Sequence, residues 1–219
     1  MKLRVVQCWD DGVESDRRLT DLLRQHGAKA SFNLNPDLHQ RPEDSAWLYQ
    51  NVHPVRRLPW AELTAVYEGF TIANHTCTHP WPTRIPLATW RAEVVDARHR
   101  LQDKFGQPVA GFAYPFGDFN DATAAVVGEA GHVYGRTCEQ AEVLPGANPL
   151  ATPTSGHVNM PDFWDSYEAA KRQPNGVFWF WGHSYEFTDE AAWQAFEQKI
   201  RRISADPDAE WAELPGVFA

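Results

Sequence analysis

Two adjacent carboxylates, Asp10 and Asp11, close the apolar run that opens this sequence, in "VVQCWDDG". Side by side they repel one another unless a cation or a proton stands near, so the pair asks for a positive partner. His75 and His79 lie four apart in "NHTCTHP", and one loop or helical turn can aim both imidazoles at a common point. Two nitrogens and one carboxylate oxygen hold a divalent cation and leave a position for water. One aspartate can then be a ligand while the other handles protons beside the cation. Two further polar sites follow, "YPFG" at Tyr114 to Gly117 and His183 in "WFWGHS". Any one of the nine histidines taken alone reads as a surface or core residue. The coincidence of paired acids, paired histidines and a further histidine carries the metal-site reading.

Each of these groups follows a segment that reads as a short buried strand. Lys2 to Trp9 is the first, followed by a helix from Asp16 to His26 with Leu19, Leu22 and Leu23 on one face and Gly27 at its stop. Ala30 to Leu34 reads as strand, and the polar, Pro-dotted stretch from Pro36 to Pro59 as a surface excursion that overhangs a site. Trp60 to Glu68 is a short helix and Phe70 to Ala73 a strand. Leu87, Trp90, Val94, Ala97, Leu101 and Phe105 keep helical spacing up to Gly106. Val109 to Tyr114 and His132 to Arg136 read as strands around a helix from Asn120 to Glu129. An irregular stretch to Met160 precedes a helix from about Asp162 to Lys171 and a last strand, Val177 to Trp181. Thr188 is expected to cap a final helix whose Trp193, Phe196, Ile200 and Ile203 share a face. Alternating strands and helices predict parallel β/α units. Without a Gly-rich phosphate loop after the first strand, they suit an α/β barrel better than a dinucleotide-binding sheet.

No linker divides the 219 residues, so 1–219 is read as a single domain. A formal net charge of −9 argues against nucleic acid or an anionic membrane surface as partner. Cys8, Cys77 and Cys138 are too few and too scattered for a disulfide framework or a thiolate metal knot. With no basic leader and apolar core ahead of the first strand, and no membrane-length apolar run, the expected setting is soluble and cytoplasmic. Among the ten tryptophans, Trp9, Trp81, Trp164, Trp179 and Trp181 lie near the polar motifs, where core packing is favoured over sugar stacking for most. Trp179 and Trp181 alternate with Phe180, so the two sets face opposite sides of their strand.

"CWDDG", "NHTCTHP", "FAYPFG" and "WFWGHS", in this order, resemble the motifs of the polysaccharide deacetylase family, the NodB-homology domains of carbohydrate esterase family 4, over roughly residues 3–185. The resemblance implies a distorted (β/α) barrel of about seven strands and metal-dependent removal of acetyl groups from N-acetylated sugars. It makes Asp10 the general base, Asp11, His75 and His79 the metal ligands and His183 the general acid. It places the Phe116 backbone N–H at the developing oxyanion, with Tyr114 and Trp81 near the substrate. Zn2+ is the expected metal, and Co2+, Ni2+, Mn2+ or Fe2+ suit the same donors. The implied partner is a small molecule or oligosaccharide. Two departures stand out. The family's third motif often carries an Arg that orients the base, and Ala113 occupies that position, so Arg136 is the candidate replacement. The acid that supports His183 stays open among Asp162, Asp165 and Glu186, with Trp164 nearby. His157 reads equally as a substrate contact or a solvated loop residue, and Cys77 as a loop residue facing inward.

Other readings share these residues. Two His and one carboxylate also hold non-haem iron for oxygen chemistry, though an oxygenase needs no base beside the ligand. Hydrolysis of a non-sugar amide or acetyl ester would use the same site. A non-catalytic, metal-containing sugar-binding module would need neither base nor acid.

Overall fold

The alternation of short apolar runs and helices becomes a parallel sheet rolled nearly into a barrel in the computed structural model, which describes residues 2–218. The first half runs β1 (Leu3–Asp10), α1 (Asp16–Gln25), β2 (Ser31–Leu34), β3 (Trp47–Tyr49), β4 (His53–Val55), α2 (Leu63–Val66), β5 (Thr71–Asn74) and α3 (Leu87–Phe105). The second half runs β6 (Gly111–Ala113), α4 (Asp121–Glu129), β7 (Tyr134–Gln140), β8 (Thr152–Thr154), β9 (Gly156–His157), α5 (Phe163–Lys171), β10 (Val177–Gly182), α6 (Glu190–Ala205) and β11 (Ala209–Trp211).

The sheet order is β8-β7-β6-β5-β2-β1-β10-β9, with β11 attached to β1 and every pairing in that sheet parallel. Only Ser155 separates β8 from β9, and its backbone N–H donates to Trp179 O at 2.7 Å. The two ends of the sheet order are therefore one run of chain, 152–157. Counted once, it brings the barrel wall to the seven segments expected, with β11 beside the lower half of β1. Among the described residues, no helix is long and apolar enough to cross a membrane.

Period-two alternation sorts the strand residues between two cores. On β10, Phe178 and Phe180 pack outward with Phe163 of α5 and Phe196 of α6, whereas Val177 and Trp179 pack inward with Val6, Cys8 and Tyr134. On β1, Val5 and Trp9 join the outer core while Val6 and Cys8 join the inner one. Leu214, Val217 and Phe218 reach that inner core from beyond β11, and Phe218 stacks on Tyr134 at 4.9 Å. The inward series on three strands then runs on into residues of the barrel mouth: Asp10 after Cys8, Trp181 after Trp179, and Arg136 after Tyr134.

Several elements depart from the sequence expectations. The excursion before Pro59 holds an antiparallel hairpin, β3–β4. The stretch called irregular contains β8 and β9, whose "TPTSGH" lacks the apolar run of an interior strand. The segment from Trp60 splits into a 3-10 turn, Trp60–Glu62, and the single turn of α2. Only Gly111–Ala113 of the expected Val109 to Tyr114 strand pairs in the sheet. The cap of α6 is Asp189, not Thr188: its side chain accepts from the Ala192 N–H at 2.8 Å.

Gly12 sets the turn that carries the paired acids out of β1. Its φ is +67°, and a Cβ there would stand 2.5 Å from His39 Cε1 and 2.8 Å from Leu34 Cδ2. Gly27 shares the left-handed backbone (φ +61°) with nothing near it. Gly27→Ala should therefore cost only the backbone term, about 1–2 kcal/mol, and Gly12→Ala should cost distinctly more, in urea unfolding.

Candidate metal and acid–base site

A pocket of about 450 Å³ opens where β1, β5, β7 and β10 end, and Asp10, Asp11, His75, His79, Arg136 and His183 all line it. Placement of chemistry at the carboxyl ends of parallel strands is what this architecture favours. Four non-glycine residues with left-handed backbone, Asp11 (φ 80°), Thr76 (69°), His79 (59°) and Phe116 (60°), belong to the loops that shape it. Such strain persists only where surrounding bonds over-determine it. Those bonds are visible around the histidine loop. Asn74 accepts from the Thr76 N–H and donates to Val94 O, Thr76 Oγ1 accepts from the His79 N–H, and Asn35 donates to the carbonyls of His75 and Thr76.

The donors of Asp11, His75 and His79 come within 4.8 Å of one another. His75 Nδ1 lies 2.7 Å from Ala113 O, an acceptor only, so this nitrogen carries the proton and Nε2 keeps a free lone pair. Burial lowers the pKa of His75, and it is the leading cause that brings His79 down to about 3. Both imidazoles are thus neutral, the form that ligates. For Asp11, burial pushes the carboxyl up, but Arg57 and the neighbouring histidines outweigh it and hold the group well below the ordinary range. Two neutral imidazoles and one carboxylate fit a borderline divalent cation.

Asp10 faces the same space. Asn33 donates to its Oδ1 at 2.7 Å, and Arg136 to its Oδ2 at 2.5 Å. Burial raises this carboxyl, and the charges of Arg136 and the protonated His183 reverse the direction and keep it ionised. His183 Nε2 stands 3.8 Å from Asp10 Oδ2 and 3.9 Å from Asp11 Oδ2. Its Nδ1 meets Glu186 Oε1 at 3.1 Å, and Glu186 Oε2 meets His157 Nε2 at 2.9 Å. Burial alone would lower the pKa of His183; the Glu186 bond and the two aspartates overturn that and take it up to about 9.

A sequence profile described as polysaccharide deacetylase matches residues 2–135. The chain belongs to the polysaccharide deacetylase family. Among solved structures, a family 4 carbohydrate esterase from Streptomyces lividans in complex with acetate aligns at 18% identity and TM-score 0.61, over 96% of this chain and 92% of that one. A peptidoglycan N-acetylglucosamine deacetylase aligns at 17% identity and TM-score 0.65, over 99% of this chain and 88% of that one. The Streptococcus pyogenes deacetylase PplD, in complex with acetate, aligns at 19% identity and TM-score 0.58 over 67% of this chain, which spans only 61% of PplD. These likenesses establish the fold. No curated protein matches the chain.

The family match stops one residue short of Arg136 and does not reach His183. In register, Ala113 on β6 lies directly beside Arg136 on β7. The neighbouring strand therefore brings a guanidinium to Asp10 where the family's third motif here has only a methyl group. Of the acids left open beside His183, Glu186 is the one in contact. Asp162 and Asp165 line a separate cleft with Gln140 and Ser155, and Trp164 packs on the outside, beneath Arg202.

Phe116 lines the pocket with its ring against His79 at 4.5 Å. Trp81, expected near the substrate, stacks on Phe116 at 4.0 Å, with Arg84 over a Trp81 ring face. Tyr114 contributes to the wall, but its hydroxyl is committed to Leu150 O at 2.6 Å. Cys77 is buried, its nearest charges being Glu93 and Asp96 of α3, and it lies outside the pocket lining. Sequence reasoning missed Arg57, Trp47, Tyr185 and the lining role of Cys138. Nothing in "PVRRLP" separates exposed Arg56 from buried Arg57, since their difference arises only when the loop folds back onto the turn after β1.

His183 gains its partners on folding, so its folded pKa of about 9 lies above the unfolded value near 6.5. Its contribution to stability is full below about pH 6.5 and is lost as pH rises toward 9. In the metal-free protein, the difference in unfolding free energy between wild type and His183→Gln should therefore shrink over that interval.

Proposed function

We propose that this chain is a metal-dependent hydrolase that removes the N-acetyl group from an acetylated amino sugar or oligosaccharide. The observation that carries the reading is a pair of oppositely matched groups in one pocket. Beside the Asp11–His75–His79 donor set, Asp10 is held ionised by Arg136 and His183 is held protonated by Glu186. Titratable neighbours pushed apart in this way divide base and acid roles.

Asp11, His75 and His79 would hold a divalent cation, which when bound would lower the pKa of a water and polarise the acetyl carbonyl as a Lewis acid. Asp10 takes the proton of the attacking water, its oxygens aimed by Asn33 and Arg136. Phe116 lines the same pocket, and we assign its backbone N–H to the oxygen on which negative charge develops. His183 delivers a proton to the departing nitrogen as the C–N bond breaks, which gives acetate and a free amine. Trp47, Trp181 and Tyr185 give the pocket an aromatic wall suited to the apolar face of a sugar ring. The sugar substrate is further supported by relatives described as a carbohydrate esterase and as a peptidoglycan N-acetylglucosamine deacetylase. Zn2+ is the metal we favour, residues 1–219 act as one domain, and the net charge of −9 keeps nucleic acid and anionic membranes from being partners.

Elemental analysis of the purified protein, paired with acetate release from N-acetylated chito-oligosaccharides, tests this directly. Expected are about one equivalent of metal and acetate release that chelation abolishes and added zinc or cobalt restores. Bound metal without acetate from any sugar would overturn the substrate class and redirect the screen to small non-sugar amides and esters. Alanine at Asp11, His75 or His79 should lose the metal. Asp10→Asn and His183→Ala should retain it while turnover drops by roughly 10²–10⁴-fold. An active Asp10→Asn would remove Asp10 from the base role.

A further inference from the structure

Arg57 lies far from the family's motif residues in sequence, yet its guanidinium is built into the turn that presents Asp11. The segment around it pairs back onto that turn. Val13 and Arg57 form an antiparallel bridge, the Glu14 N–H donates to Arg56 O, and the Leu58 N–H donates to Gly12 O at 2.9 Å. Arg57 Nη1 donates to Asp11 O at 2.5 Å and to Asn35 Oδ1 at 3.0 Å, while Nη2 donates to Asp11 Oδ1 at 3.1 Å. The side chain is 6% exposed, with Trp47 of the hairpin at 5.3 Å from its centre. Asn35, which accepts from Arg57, also donates to the His75 and Thr76 carbonyls. One guanidinium thus joins the carboxylate donor to the loop that carries the imidazole donors.

We infer that Arg57 is a positioning residue that sets the charge of the metal site, competing with a bound divalent cation for the Asp11 carboxylate. The inference rests on the proposal that Asp11, His75 and His79 hold a metal. The guanidinium is held by the backbone carbonyl of Asp11 and the side-chain amide of Asn35 as well as by the carboxylate, so cation binding to the carboxylate leaves it two of its three bonds. Its positive charge therefore opposes the incoming cation through a low-dielectric interior, where such repulsion is poorly screened. In the metal-free protein the same charge neutralises the Asp11 side of the acid pair, as Arg136 neutralises the Asp10 side. The site is kept assembled before metal arrives, at the cost of binding metal less tightly than an unpaired Asp-His-His set. A cation that shares its carboxylate ligand with a guanidinium also receives less negative charge from it, and so polarises a carbonyl more strongly.

The sign of this effect separates it from a merely structural role. Loss of a structural brace weakens metal binding, whereas loss of a competing cation tightens it. An adjacent guanidinium lowers a carboxylate's proton affinity by about ten- to a thousandfold, and the same field acts on a metal ion. Zn2+ and Co2+ dissociation constants, measured by chelator competition at one fixed pH on wild type, Arg57→Lys, Arg57→Gln and Arg57→Met, provide the test. Arg57→Gln and Arg57→Met should bind at least about tenfold more tightly, and their metal-free forms should unfold at lower temperature than wild type. Arg57→Lys, which keeps the charge, should stay near the wild-type affinity. Should one neutral variant fail to fold, the other carries the comparison. Unchanged or weaker binding in the neutral variants would overturn the charge-setting role while leaving the metal site intact. A wild type that binds no metal would overturn the metal site itself, and this inference with it.

Discussion

Everything at the mouth of this barrel depends on burying two neighbouring carboxylates in their charged form. Asp10 and Asp11 are 3% and 6% exposed, and removing either from water is costly unless a positive group meets it at close range. The fold answers with two arginines from opposite directions. Arg136 comes from β7, deep in the barrel wall, to Asp10; Arg57 comes from the loop after the β3–β4 hairpin to Asp11. Each acid thus has its own counter-charge, which lets two adjacent residues in the sequence hold different assignments. The third anionic group, Glu186, is matched by two histidines, so the pocket gathers strong local fields from paired charges.

The positioning of these groups follows from strand alternation more than from loop design. The inward residues of β1, β7 and β10 are apolar or aromatic in the barrel interior and become Asp10, Arg136 and Trp181 at the mouth, one step further along the same face. A site built on the ends of packed strands inherits their rigidity, and loops add the groups that need unusual backbone. Asp11, Thr76, His79 and Phe116 all take left-handed conformations there, with Arg57 bonded to Asp11 and Asn35 to the Thr76 carbonyl from other parts of the chain.

Much of this was legible in the sequence for a simple reason: apolar periodicity reports strands and helices, and polar residues at the ends of apolar runs report the mouth. Asp10, Asp11, His75, His79 and His183 were found that way, and Arg136 was singled out because Ala113 left a position short of charge. Three kinds of information were not readable. The strands in "TPTSGH" carry no apolar pattern, since they sit at the seam of the sheet and bond partly through Ser155. Arg57 acquires its place from folding of the hairpin region, where sequence distance says nothing of proximity. Trp81 stacks on Phe116, a contact between two loops that sequence spacing does not report.

The pairing partners of β1 carry a consequence for how the protein comes into being. The strand that ends in the two aspartates lies between β2, made soon after it, and β10 and β11, made near the other end of the chain. Contacts between distant parts of a chain are slow to form because a long loop must close first. During synthesis, therefore, the first strand emerges early and waits for its neighbours, exposing an apolar edge until residues 177–182 have left the ribosome. The candidate donors Asp11, His75 and His79 would exist as chemical groups well before the barrel wall that gives them a common geometry.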